Sequence, residues 1–91
     1  MQIRERDIEF NVNRYAHQTG WVGYKFSSPQ HAGVPDRLYI KNGKTIYIEF
    51  KAPGKKPRKL QEKVFEDMRR HGALVFVVDD IDQGKAVLDA N

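Results

Sequence analysis

DRLYIKNGKTIYIEFK, residues 36–51, decides how the chain is built. Asn42-Gly43 lies between two runs rich in β-branched and aromatic residues, the signature of a hairpin with a two-residue turn. Such a turn pairs Lys41 with Lys44. Counting outward, Ile40 faces Thr45, Tyr39 faces Ile46, Leu38 faces Tyr47 and Arg37 faces Ile48. The same count sets Asp36 opposite Glu49, two carboxylates with Cβ atoms roughly 4.5–5.5 Å apart.

Like charges so placed weaken a sheet. A shared proton would relieve the repulsion, and so would a divalent cation bound between the two groups. Lys51 follows Glu49 by two residues and shares its face, while Ile46, Ile48 and Phe50 point the other way, toward a core. Metal-assisted phosphodiester hydrolysis uses such a set. The metal polarises the phosphate and lowers the pKa of a bound water, and the ammonium stabilises charge growing on the phosphoryl oxygens. Each residue taken alone would read as a solvated strand charge. The register joins them.

The flanking sequence supplies the rest of an α/β domain. Residues 3–18 carry Ile8, Val12, Tyr15 and Ala16 at helical spacing, and Gly20 stops the run. Trp21 to Phe26 reads as a strand, with Trp21 and Tyr24 as packing residues, and residues 27–35 as a Pro/Gly loop. Asp36 to Lys41 and Lys44 to Lys51 are the hairpin strands. Residues 52–57 form a basic Gly/Pro loop. Arg58 to His71 is a helix with Leu60, Val64, Phe65 and Met68 as its apolar stripe. ALVFVV at 73–78 is a buried-type strand, and residues 81–90 form a last helix capped by Asp80. The order α-β-β-β-α-β-α implies a mixed central sheet flanked by helices.

Composition narrows the chemistry. The chain has 91 residues, no repeat and no linker, so a single domain over residues 1–91 is expected. With no cysteine, thiol catalysis and cysteine-based metal sites are excluded, and His17, His31 and His71 are not at metal-ligand spacing. Any metal would be held by oxygens, which points to Mg²⁺ or Mn²⁺. The net charge of +4 suits a polyanionic partner. The mean hydropathy of −0.70, the charged N-terminus and the absence of a long apolar run imply a cytoplasmic location.

GVPDR at 33–37, IEFKAPGKKP at 48–57 and Gln61 together resemble the virus-type replication-repair nuclease (VRR-NUC) domain. That domain is a branch of the PD-(D/E)xK nucleases, with the restriction-endonuclease-like fold, related to archaeal Holliday junction resolvases. The resemblance covers nearly the whole chain, and the extended motif set is far more specific than a bare PD-x-ExK pattern. It implies that Asp36 and Glu49 ligate the metal with the Phe50 carbonyl, that Lys51 positions or activates the attacking water, and that Gln61 lies near the site. It also implies a further acidic ligand from the first helix, either Glu5 or Glu9, which lie one turn apart on roughly one face. Lys55, Lys56, Arg58 and Lys59, with Lys25 and Ser28 before the motif, would meet the DNA backbone. His31 is a loop residue at the border of the site.

The activity so implied is a divalent-metal-dependent endodeoxyribonuclease leaving 5′-phosphate and 3′-hydroxyl ends. Its substrate would be branched DNA, as in Holliday-junction resolution during recombination or repair. Resolution needs two sites on opposed strands, hence a homodimer. The small, minimal domain suggests a phage origin. The alternatives are a non-catalytic DNA-binding module on the same fold and a scaffold domain that meets no nucleic acid.

Overall fold

The computed structural model describes residues 2–91. Its elements run α1 (Glu5–Gln18), β1 (Val22–Lys25), β2 (Arg37–Lys41), β3 (Lys44–Phe50), α2 (Lys59–Arg70), β4 (Leu74–Val78) and α3 (Ile81–Ala90). This is the order expected from the sequence. The strands are one or two residues shorter than the periodicity implied, Asp36 and Lys51 each falling just outside one.

The four strands form one sheet in the order β1-β2-β3-β4. β1, β2 and β3 are antiparallel neighbours, and β4 joins parallel to β3 through the α2 crossover. The hairpin register runs from Lys41↔Lys44 to Arg37↔Ile48, as counted from the turn. Both turn residues take positive φ, Asn42 at 51° and Gly43 at 80°. A two-residue turn of that hand matches the right-handed twist of the strands it joins.

Alternation along β2 and β3 divides the sheet into two faces. Arg37, Tyr39, Ile46, Ile48 and Phe50 lie on one. There the last four pack with Ile8, Val12 and Ala16 of α1, with Val78, and with Leu88 of α3, to form the main core. Trp21 closes it at the end of α1, with Lys41 Nζ 5.6 Å from its ring centroid. Asp80 caps α3 by accepting from the Gln83 N–H at 2.9 Å.

Gly84 is where α3 meets this core. A Cβ there would stand 2.5 Å from one methyl of Val12 and 3.1 Å from a methyl of Val78. Both valines are fully buried and have nowhere to move. Gly84→Ala is therefore expected to destabilise the domain by about 1–3 kcal/mol, as overpacking does, despite alanine's better helix propensity. Urea unfolding at constant m-value measures it.

The other face carries Leu38, Ile40, Thr45, Tyr47 and Glu49. α2 packs there chiefly on β4, and Phe65 of the helix and Val75 of the strand are both buried. The expected four-residue stripe of α2 is corrected by this placement. Phe65 is buried, Val64 and Met68 are half-buried, and Leu60 is 55% exposed. The helix lies over the β4 side of the sheet and leaves Val22, Tyr24 and Ile40 exposed on the β1–β2 side. Tyr24 is thus not the packing residue its strand position suggested, whereas Trp21 is.

Candidate active site

Asp36 sits one residue before β2, so the hairpin register continued by one step sets it opposite Glu49. Its backbone is fixed by the Phe26 N–H, which donates to the Asp36 carbonyl at 2.8 Å and extends the β1 pairing. Its carboxylate Oδ2 accepts from the Phe50 N–H at 2.9 Å. The last rung of the hairpin is therefore closed by a side chain. Pro35 before it is fully buried, which anchors the entry into the strand.

Glu49 is 3% exposed, the buried charge of the core-forming strand. Its Oε2 accepts from Gln61 Nε2 at 2.9 Å and lies 3.1 Å from Lys51 Nζ. Its Oε1 is buried without any hydrogen-bond partner. Lys51 extends the β3–β4 ladder, its N–H donating to the Val78 carbonyl at 2.9 Å, and its Nζ donates to Gln61 Oε1 at 3.0 Å. Gln61 Oε1 also accepts from the Arg58 N–H at 3.0 Å. One amide thus ties the start of α2 to Glu49 and Lys51. A helix start needs partners for its free N–H groups, and here that partner is a residue already bonded to the site.

The carboxylates are electrostatically costly. Burial pushes the Glu49 carboxyl above the ordinary carboxylate range, the charge of Asp36 pushes it further, and Lys51 and Gln61 only partly oppose this. Burial likewise raises Asp36. The Phe50 N–H opposes that shift, Glu9 adds to it, and Lys51 and Lys25 offset part of it. An orphaned oxygen on a buried carboxylate, with a second, half-buried carboxylate opposite it, suits a hard divalent cation, which takes oxygen ligands and cancels their repulsion. The donor set present fits such an ion.

The structure separates the two glutamates of the first helix. Glu5 is exposed at the start of α1. Glu9, one turn on, is drawn in, and its Oε2 accepts from Arg37 Nε at 2.7 Å, with Lys25 Nζ at 4.0 Å. Among the described residues no three His, Asp or Glu side chains form a metal-binding cluster. The carboxylate pair stands without a third acidic side chain.

Lys55 and Lys56 of the basic loop, Arg58 at the N-cap of α2 and Lys59 in its first turn are all exposed. The loop is pinned by Asp79 Oδ2, which accepts from the Gly54 N–H at 3.1 Å. Asp79 was not legible as a site neighbour, because the parallel β3–β4 pairing alone brings it there. Lys25 is 77% exposed on the β1 side, and Ser28 is half-buried beside an open groove of about 690 Å³. Phe26, Val34, Leu60, Val64 and Met68 supply apolar walls of that groove, and His31 lies on its rim. Arg37 was also missed. Its only signal is its place directly after Asp36.

No protein-family model matches the chain. A curated relative, "Putative nuclease p44" of Acyrthosiphon pisum secondary endosymbiont phage 1, is 42% identical over 81 residues, spanning 88% of this chain and 87% of that protein. A solved structure described as a VRR_NUC domain superposes with a TM-score of 0.86 at 26% identity, over 93% of this chain and 94% of that one. The motif set, the fold around it and these two likenesses agree. The chain belongs to the VRR-NUC family of nucleases.

Proposed function

We propose that this protein is a divalent-metal-dependent DNA endonuclease that cuts branched DNA, with Asp36, Glu49 and Lys51 as its catalytic set. The observation that carries the reading is the buried, unpartnered Oε1 of Glu49 opposite Asp36. Asp36 and Glu49 would hold Mg²⁺ or Mn²⁺, with the carbonyl of Phe50 at the end of the same strand. The ion supplies Lewis acidity toward the phosphate and a more acidic bound water.

The chain's own residues set up the rest. Lys51 presents an ammonium with two acceptors already fixed, Glu49 and Gln61, leaving a donor for a phosphoryl oxygen. Gln61 orients both charged groups through one amide. Lys55, Lys56, Arg58, Lys59 and Lys25 would neutralise backbone phosphates on either side of the site, with Ser28 as a hydrogen-bonding contact.

A homodimer follows from the need to cut two strands. The uncovered β1–β2 face supports it, since Val22, Tyr24 and Ile40 are exposed together on the face that carries the site.

Cleavage of a labelled four-way junction tests the reading, with linear duplex and flap controls in Mg²⁺, Mn²⁺ and EDTA. Paired symmetric nicks confined to the metal-containing reactions are the expected outcome. Junction binding without scission in either metal would leave a DNA-binding module as the better account.

A further inference from the structure

We propose that Arg37 is a positioning residue that holds Glu9 away from the carboxylate pair, so that Glu9 reaches a bound divalent cation only when Arg37 lets go. The proposal rests on the metal-centre reading given above. Its basis is a contact the catalytic scheme does not use. Arg37 Nε and Glu9 Oε2 are 2.7 Å apart, with side chains only 18% and 20% exposed. Lys25 reaches the same oxygen at 4.0 Å from a side chain 77% exposed.

The strand explains the arrangement. Asp36 and Arg37 are consecutive, so they project to opposite faces. Asp36 turns to the Phe50 N–H on the hairpin's last rung, and Arg37 turns to the α1 side, where Glu9 waits. Glu9 is still near enough for its charge to act on Asp36. It is held on the residue next to Asp36, yet no three acidic side chains converge among the described residues. The guanidinium is what engages it instead.

A cation at Asp36 and Glu49 and the guanidinium of Arg37 then compete for one carboxylate. Arg37 has an alternative anion in the DNA backbone, since guanidinium pairs with phosphate as readily as with carboxylate. DNA arriving at Arg37 and Lys25 would take both cations from Glu9 and free it for the metal. Metal and DNA binding then support one another, and the coupling is reciprocal.

Binding of Mn²⁺ alone, followed by EPR of the free ion on the intact chain without DNA, tests this. The set is wild type, Arg37→Gln, Glu9→Gln and the double variant, each checked for folding by circular dichroism. Arg37→Gln should tighten Mn²⁺ binding about fivefold or more, the low end of typical coupling between sites. Glu9→Gln should change it little without DNA, because Arg37 already holds Glu9 off the ion there, and Arg37→Gln should add nothing in the Glu9→Gln background. A gain that persists in that background reports only the loss of a nearby positive charge and overturns the proposal. So does unchanged or weaker binding by Arg37→Gln. If Arg37→Gln does not fold, Arg37→Lys, which lacks the planar fork, must shift affinity in the same direction, and wild-type affinity there overturns the idea. Absence of Mn²⁺ binding in the wild type would instead remove the metal centre, and this proposal with it.

Discussion

Lys51→Ala will slow strand cleavage by on the order of 10²–10³-fold, the usual cost of deleting one preorganised group that stabilises developing charge, while Mn²⁺ still binds. The two effects separate because of how Lys51 is held. Its side chain is 13% exposed, its Nζ 3.1 Å from Glu49 and 3.0 Å from Gln61. Removing it leaves Gln61 bonded to Glu49 and leaves Asp36 on the Phe50 N–H, so both carboxylates keep their places. What would be lost is the ammonium proposed above to meet the phosphoryl group. Single-turnover cleavage at saturating metal, alongside a metal titration, is the measurement. If metal affinity fell by the same factor as the rate, Lys51 would be a prop for Glu49 and no more.

Asp36→Asn will raise the melting temperature of the metal-free protein at neutral pH and abolish stabilisation by Mg²⁺ or Mn²⁺. Burial first, and then Glu9, raise the Asp36 carboxyl above its ordinary range, against the Phe50 N–H and nearby lysines. The folded state therefore keeps the proton to higher pH than the unfolded chain does. Between the unfolded carboxylate value, near 4, and the raised folded value, stability falls as pH rises, and above that window the whole penalty is present. Asparagine keeps an acceptor for the Phe50 N–H and removes the charge that pushes Glu49 up as well. Each kcal/mol recovered lifts the midpoint by about 4–8 °C in a domain of this size. The difference between variant and wild type should close as pH drops to about 4, where the wild type carries the proton too. Thermal melts across pH, with and without metal, decide it. A variant less stable than the wild type at neutral pH would mean that the carboxylate is already well compensated without an ion. The expected pattern is that of a site whose binding charge costs the fold stability, as at many functional sites.

The hairpin and its two carboxylates could be read from residues 36–51 because everything that places them is local. An Asn-Gly turn fixes the register, strand alternation fixes the face, and neither depends on the rest of the chain. Element order and the α1 and α3 core positions were legible for a similar reason, since a 3.6-residue period marks an inward face whatever that face meets. The apolar stripe of α2 was legible as a pattern but not in its burial. Periodicity cannot say that the helix lies toward β4 and leaves Leu60 in the open.

The same limit governed the charges around the pair. Glu5 and Glu9 share roughly one helical face, so spacing leaves them level. The docking of α1 against β2 brings Glu9 onto Arg37 and leaves Glu5 exposed. Gln61 could be aimed at the sheet, but its simultaneous bonds to Glu49, Lys51 and the start of α2 come from the crossover that carries α2 over β3 and β4. Turn chemistry and side-chain period act within a few residues. Which charges meet depends on separations of a few ångströms between segments far apart in the chain, and those are set when the sheet and helices pack.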